Sequence, residues 1–343
     1  MKKPTAIDLF CGCGGLTLGL KQAGFKVLGA VEIDSLAVKS FRANHKGIIV
    51  WKSDIHKLPV SAVRRRLKLR RGKLDLLAGC PPCQGFSVLR TRNGAKLNHD
   101  RRNNLACEML RFIRMLRPKA VMMENVPGLE GRRSFRDLCK GLLSLGYEVI
   151  WGVKDAARYG VPQRRKRLIL LAGLGFQIAF AAESDQLCTV RNAIGRIAKA
   201  GRSGDRLHDM PEKRSDRILR LIKDIPKNGG SRLDLPKERQ LVCHKRFNGF
   251  KDIYGRMAWE DVAPTITSGC FNPSKGRFLH PNENRAITMR EAALLQSFPK
   301  DYQFSKSAGK QAIASMIGNA LPPEFIRRHA LKIIKALRSP RTI

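Results

Sequence analysis

Between Ala6 and Leu171 the chain alternates short apolar runs with stretches of helical spacing. The runs are Ala6–Phe10, Val27–Val31, Ile48–Trp51, Leu74–Ala78, Ala120–Met123 and Leu168–Leu171, and they end in small or acidic residues. Runs of this length bounded by turn residues predict buried strands. Between them, Leu105, Met109, Phe112 and Leu116 share one helical face, with Asn103 or Asn104 as cap and Pro118 as stop. Ser134-Phe135-Arg136-Asp137 reads as a capping box, followed by Leu138, Leu142 and Leu145 at helical spacing and Gly146 at the end. Repeated strand–helix alternation predicts an α/β fold, a doubly wound and mainly parallel sheet covered on both faces.

The pattern fails after about Gly173. From Gly175 to Asn284 no period holds, and Gly, Pro, Asn and basic residues are frequent. This predicts a smaller, irregular domain. Regular spacing returns at Thr288-Met289-Arg290-Glu291, another capping box. A last helix runs from about Pro323, with Phe325, Ile326, His329, Ile333 and Leu337 on one side. The expected division is residues 1–173 and 286–343 in one domain and 174–285 in the other.

A length of 343 residues suits two domains. Charge changes the picture more. Lys and Arg total 66 against 28 Asp and Glu, a net +38 spread along the whole chain. Such an excess points to a polyanionic partner, nucleic acid first. The densest run, Arg64–Arg71, has six basic residues in eight and reads as a solvated face or a phosphate contact. No apolar run reaches the roughly eighteen residues of a spanning helix, so no membrane is expected. Met1-Lys2-Lys3 leads into a strand-like stretch rather than a signal peptide. Nine scattered cysteines fit a reducing cytoplasm better than a disulfide framework.

Two stretches carry candidate chemistry. Asp8-Leu9-Phe10-Cys11-Gly12-Cys13-Gly14-Gly15-Leu16 is a strand running into a glycine-rich turn and a helix, where the backbone can approach a ligand closely. A tight structural turn would look the same. Glu32 ends the next strand, where a carboxylate can accept from both hydroxyls of a ribose, and Asp54 follows the third. Gly12 and Gly14 fit the dinucleotide fingerprint but Thr17 fills its third slot, which suits an adenosine cofactor without a pyrophosphate, S-adenosylmethionine first. The second stretch, Gly79-Cys80-Pro81-Pro82-Cys83-Gln84-Gly85-Phe86-Ser87, closes the fourth strand. Its Cys-x-x-Cys lacks a second pair at zinc spacing and a thioredoxin-like helix, so no metal is expected and Cys83 reads as a single nucleophile. Glu124 closes the fifth strand at the same edge, and Gln163-Arg164-Arg165-Lys166-Arg167 supplies cations nearby.

In this order, with Glu124-Asn125-Val126, Arg290 to Gln296 and Gly318-Asn319-Ala320-Leu321-Pro322 following, these blocks resemble the bacterial DNA (cytosine-5) methyltransferases from end to end. The resemblance implies an S-adenosylmethionine-dependent methyltransferase fold with a target-recognition domain in the irregular stretch. It implies cofactor contacts from Phe10, Gly12, Cys13, Gly14, Gly15, Glu32, Ile33, Asp54, Ile55, Pro82, Asn319 and Ala320. Catalysis would fall to Cys83, Glu124 and Arg165, and DNA contact to Gln84, Ser87, Arg167 and Thr265. The stretch Gln84–Asn103 would close over duplex DNA. Lys245, Arg246, Lys251 and Arg256 would read bases or touch phosphates. It further implies a bacterial, cytoplasmic and nucleoid-associated monomer, with a functionally paired restriction endonuclease but no stable complex. The nearest rival, a tRNA methyltransferase on the same scaffold, is disfavoured by Gly85-Phe86-Ser87 and Pro127. A regulator without catalysis is disfavoured by intact Cys83, Glu124 and Arg165.

Overall fold

A computed structural model of the chain describes residues 2–82, 105–241, 249 and 251–339. The predicted caps Asn103 and Asn104, and Lys245 and Arg246, lie outside these residues. Seven strands form one sheet: β1 Thr5–Leu9, β2 Lys26–Glu32, β3 Ile49–Lys52, β4 Leu76–Gly79, β5 Ala120–Asn125, β6 Tyr147–Asp155 and β7 Lys166–Leu174, in the order β3-β2-β1-β4-β5-β7-β6. The first five are parallel, as the alternation predicts. β7 instead runs antiparallel to both β5 and β6. The sequence pattern misses β6. It is an edge strand: its run Val149-Ile150-Trp151-Gly152-Val153 is apolar, but its side chains alternate between exposure and partial burial, with Trp151 44 % exposed.

Strand periodicity sorts the core into two faces. Ile7, Leu9, Leu77, Val121, Met123, Leu168 and Leu170 point to one face. There they meet helices α3 Val60–Arg66, α4 Leu105–Leu116 and α5 Arg133–Ser144. Ala6, Leu76, Ala78, Met122, Ile169 and Leu171 point to the other. There they meet α1 Gly15–Ala23 and the C-terminal Phe325, Ile326, Ala330 and Ile333. α2 Ser35–Asn44 follows β2. Ser134 does not cap α5: the helix begins at Arg133, with Arg132 at the cap position and no side-chain cap bond. Gly146 does sit past its end, at φ +82°.

Between Gly175 and Asn284 no strand forms among the described residues. Two short helices, α6 Val190–Ile194 and α7 Asp216–Asp224, stand among single turns and isolated bridges. Arg256, expected to meet DNA, is instead fully buried. Its guanidinium donates to the carbonyls of Ile222, Ile225, His280 and Glu283 and to the Asn284 side chain, at 2.6–3.1 Å. Apolar residues of this region, among them Val190, Met257, Ile266 and Cys270, share one cluster with the returning chain. They pack there with Cys13 and with α8 Met289–Leu295 and α9 Lys310–Asn319. The Thr288 capping box forms as predicted, with reciprocal bonds to Glu291. The last helix of the described residues is α10 Pro323–Arg338.

Candidate active site

In a sheet that grows outward in both directions from β1 and β4, ligands bind beyond the carboxyl ends where the order reverses. A cleft of about 1390 Å³ opens there. Phe10, Gly12, Cys13 and Gly15 line it from the β1 turn, and Glu32, Ile33, Asp54 and Ile55 from the ends of β2 and β3. Pro81, Pro82 and Glu124 line it from β4 and β5, Arg165 and Arg167 from β7, and Asn319 and Ala320 from the end of α9. Thus β1 through β5, β7 and the returning C-terminal segment meet at one edge.

The turn after β1 is under unusual backbone constraint. Phe10 sits at φ +62° without being glycine, a conformation that persists only where its surroundings enforce it. Two distant residues, both missed by the sequence reading, brace the loop. Tyr302 donates to the Cys13 carbonyl at 2.5 Å, and His45 Nε2 lies 3.1 Å from both the Gly14 carbonyl and the Tyr302 hydroxyl. Burial, aided by the Lys21 charge, lowers the His45 pKa to about 4, so the ring is neutral near pH 7. A Cβ on Gly14 would stand 2.4 Å from that ring, so Gly14 faces the brace and not the cleft. Gly15 has its own reason: a Cβ there would meet the Leu321 carbonyl at 2.5 Å, so only glycine lets the C-terminal segment close on the turn.

Glu32 ties the turn to β2. One carboxylate oxygen accepts from the Gly12 amide at 2.8 Å, the other from Ile33 and Asp34 at 2.8 and 2.9 Å. A carboxylate offers about four lone-pair sites, so capacity for a ligand hydroxyl remains. Asp54 accepts from the His56 amide at 3.0 Å and starts a single turn at Ile55. Ile33 is 63 % exposed, an apolar side chain left bare at the cleft wall beside Phe10.

At the other end Glu124 is buried next to the last residue of β5. The Cys80 thiol donates to one of its oxygens at 2.8 Å, and Arg167 lies 3.0 Å from the other. Burial raises the Glu124 carboxyl, against the pull of Arg167 and Cys80. Burial and the Glu124 charge raise the Cys80 thiol well above its ordinary value, so it stays a neutral donor. Asn125 donates to the Pro81 carbonyl at 2.9 Å and so fixes the prolines. Cys83 follows Pro82 directly in the chain. It lies outside the described residues, as do Gln84, Ser87 and the stretch Gln84–Asn103.

The two arginines, both at the cleft, bond different partners. Arg167, not Arg165, contacts Glu124. Arg165 is buried and donates to the carbonyls of Ile266, Gly318 and Ala320 at 2.8–3.2 Å. Gln163 extends this junction, accepting from the Ile266 amide and donating to Gln296, which in turn reaches the Ile317 carbonyl. Thr265 does not line the cleft. Its hydroxyl donates to the Arg164 carbonyl at 2.7 Å, beside the same junction.

Comparison with known proteins identifies the family. Residues 5–335 match a family described as C-5 cytosine-specific DNA methylase. The Type II methylase M.HgiDII of Herpetosiphon aurantiacus is 36 % identical, over 92 % of this chain and 91 % of that protein. The Type II methyltransferase M1.HphI of Haemophilus parahaemolyticus is 33 % identical, over 96 % and 87 %. A solved Escherichia coli structure, described as a DNA modification methyltransferase encoded within a prophage, superposes with a TM-score of 0.71 at 25 % identity, covering 98 % of this chain and all of that one.

Proposed function

The chain belongs to the C-5 cytosine-specific DNA methylases and is a DNA cytosine-5 methyltransferase, and from that premise we propose how its cleft divides the work. S-adenosylmethionine occupies the β1–β3 end and one cytosine, flipped out of duplex DNA, occupies the β4–β5 end. The observation that carries this reading is the cleft that gathers Phe10, Gly12, Cys13, Gly15, Glu32 and Asp54 with Pro82, Glu124 and Arg167. Its volume exceeds the roughly 300–1,000 Å³ of an ordinary ligand pocket, so a cofactor and a base fit together.

The residues suit that cofactor. Phe10 and Ile33 offer an apolar face for an adenine, Glu32 keeps acceptor capacity for ribose hydroxyls, and the bare glycine turn leaves room for the amino-acid tail, with Asn319 and Ala320 opposite. When bound, the cofactor supplies an electrophilic methyl group on a sulfonium. On the base side, Cys83 is the nucleophile. Its thiolate adds to cytosine carbon 6, and the electron pair displaced from the 5,6 double bond makes carbon 5 nucleophilic. Glu124 holds ring nitrogen 3 and the exocyclic amino group. Its raised pKa suits it to share a proton with nitrogen 3 as the thiolate adds. Arg167 holds the carboxylate in place. Carbon 5 would take the methyl group while the sulfur keeps the electrons of the broken carbon–sulfur bond; the carbon 5 hydrogen then leaves as a proton to water, and the returning electron pair expels the thiolate. We assign Arg165 the role of joining the recognition segment to the cleft, not of acting on the base.

Residues 174–285 act in target recognition, with Thr265, Gln84 and Ser87 at the DNA. Flipping the base costs a few kcal/mol. The Type II relatives support a modification role alongside a restriction endonuclease. Bisulfite sequencing of host DNA is the test. Cells expressing the chain should carry 5-methylcytosine at one recurrent sequence, and cells expressing Cys83→Ala should carry none. Methylation by the Cys83→Ala variant would refute the covalent route, and labelled methyl groups entering tRNA instead would refute the substrate.

A further inference from the structure

The cleft and the densest basic run lie at opposite edges of the sheet. The run ends just before β4, at the amino ends of the parallel strands, where Asp75 bonds Thr5 at the start of β1 and Lys119 before β5. The cleft opens at their carboxyl ends. The four residues of β4 alone separate the two edges by about 13 Å.

The run is held in a fixed form. Leu67 and Leu69 pack against the sheet core, so Arg66, Lys68 and Arg70 between and beside them are turned outward and exposed. Gly72, at φ +81°, turns the chain and donates to the Leu116 carbonyl at 2.9 Å, which docks the run against the end of α4. Arg65, Arg66, Lys68, Arg70 and Arg71 have no acidic partner among the described residues. The nearby Asp75 is taken up by Lys119 and Thr5. Among the described residues the buried arginines elsewhere bond carbonyls or carboxylates, and these do neither.

We propose that this face binds a segment of duplex DNA beyond the one held in the cleft, through its phosphates and without regard to sequence. Charge complementarity selects the occupant: duplex DNA carries one negative charge per about 1.7 Å of axis. No aromatic residue lies between Arg64 and Lys73 to stack unpaired bases, which disfavours a single strand. The leucines point inward, which disfavours insertion into a lipid surface. The consequence is an enzyme that holds long DNA at two places and so stays near its sites between turnovers.

The test compares two duplexes, each with one target site, of about 12 and about 60 base pairs. The variant changes Arg65, Arg66, Arg70 and Arg71 together to Gln, and a second changes the same four to Lys. For the Gln variant, the long duplex should bind at least tenfold more weakly, and the slope of log affinity against log salt should flatten by about 3.6. The short duplex should keep its affinity and methylation rate within twofold, which leaves the methyltransferase reading intact. The Lys variant should behave as wild type on both. Equal weakening on both lengths would overturn the proposal by assigning the face to the cleft's own DNA. Unchanged binding of the long duplex would overturn it by leaving the face to solvent, and loss confined to long duplex RNA would overturn the choice of DNA.

Discussion

The sheet and the stretch between Gly175 and Asn284 are held together by different means. In the sheet, strand pairing satisfies the backbone, and residues at strand ends are left available: Glu32, Asp54, Cys80 and Glu124 all sit at or just past a carboxyl end. In the irregular stretch arginines do what a ladder would do. Arg256 bonds four carbonyls, Arg277 bonds those of Gly229 and Arg256, and Arg285 holds Glu291 through two bonds of 2.7 and 2.8 Å. A basic residue there can be an internal tie as readily as a DNA contact. The net charge of +38 therefore overstates what DNA can meet.

The sharpest way to break this contrast is to exchange one residue of each kind. Glu124→Gln keeps shape and hydrogen bonding but cannot share a proton with the ring. Single-turnover methyl transfer should fall by about 10²–10⁴, with the melting temperature nearly unchanged. A comparable loss of stability instead would make Glu124 a structural residue like those beyond Gly175. Arg256→Met should do the reverse. It strands several buried carbonyls at about 1–3 kcal/mol each before relaxation, so unfolding should become easier by about 3 kcal/mol or more. The methylation rate should persist at temperatures where the variant stays folded. Intact stability with lost DNA affinity would restore Arg256 to the recognition surface.

The same contrast explains what the sequence made legible. Strand ends are marked by apolar runs, and parallel strands bring successive ends to one edge, so Phe10, Glu32, Asp54 and Glu124 could be gathered before any coordinates. Which arginine meets Glu124 could not. Arg165 and Arg167 are two residues apart, and the choice rests on the antiparallel register that pairs Glu124 with Ile169. His45 and Tyr302 were invisible for another reason. They brace the glycine turn from 257 residues apart, and no local pattern announces such a contact. In the irregular stretch nothing periodic encodes an arginine that bonds carbonyls, so Arg256 looked like a surface cation.

The smallest expected effects concern pH, and there a carboxyl buried in the sheet and one in α8, held by Arg285 at the end of the irregular stretch, should differ in sign. Asp8 in β1 is fully buried, with no ion pair among the described residues. It accepts from the Thr17 hydroxyl at 2.6 Å. Burial, assisted by the Glu32 charge and opposed by Thr17, raises its carboxyl to about 7. The unfolded chain loses that proton near pH 4, so between about pH 4 and 7 the folded state binds more protons and stability falls as pH rises. Glu291 in α8 is buried as well. Burial pushes its carboxyl up, but the Arg285 bonds and charge, His280 and the Thr288 amide outweigh this and hold it below the usual range. Its contribution is present above the unfolded value and is lost as pH falls through the lowered one. Melting curves of Asp8→Asn and Glu291→Gln against wild type should separate the two. Relative to wild type, Asp8→Asn should gain stability steadily from pH 4 to pH 7. The destabilisation by Glu291→Gln should stay constant over that range above its unfolded value and shrink only in stronger acid. If both differences moved in the same pH window, the charge buried in the sheet would be compensated after all, as the Glu291 charge is by Arg285.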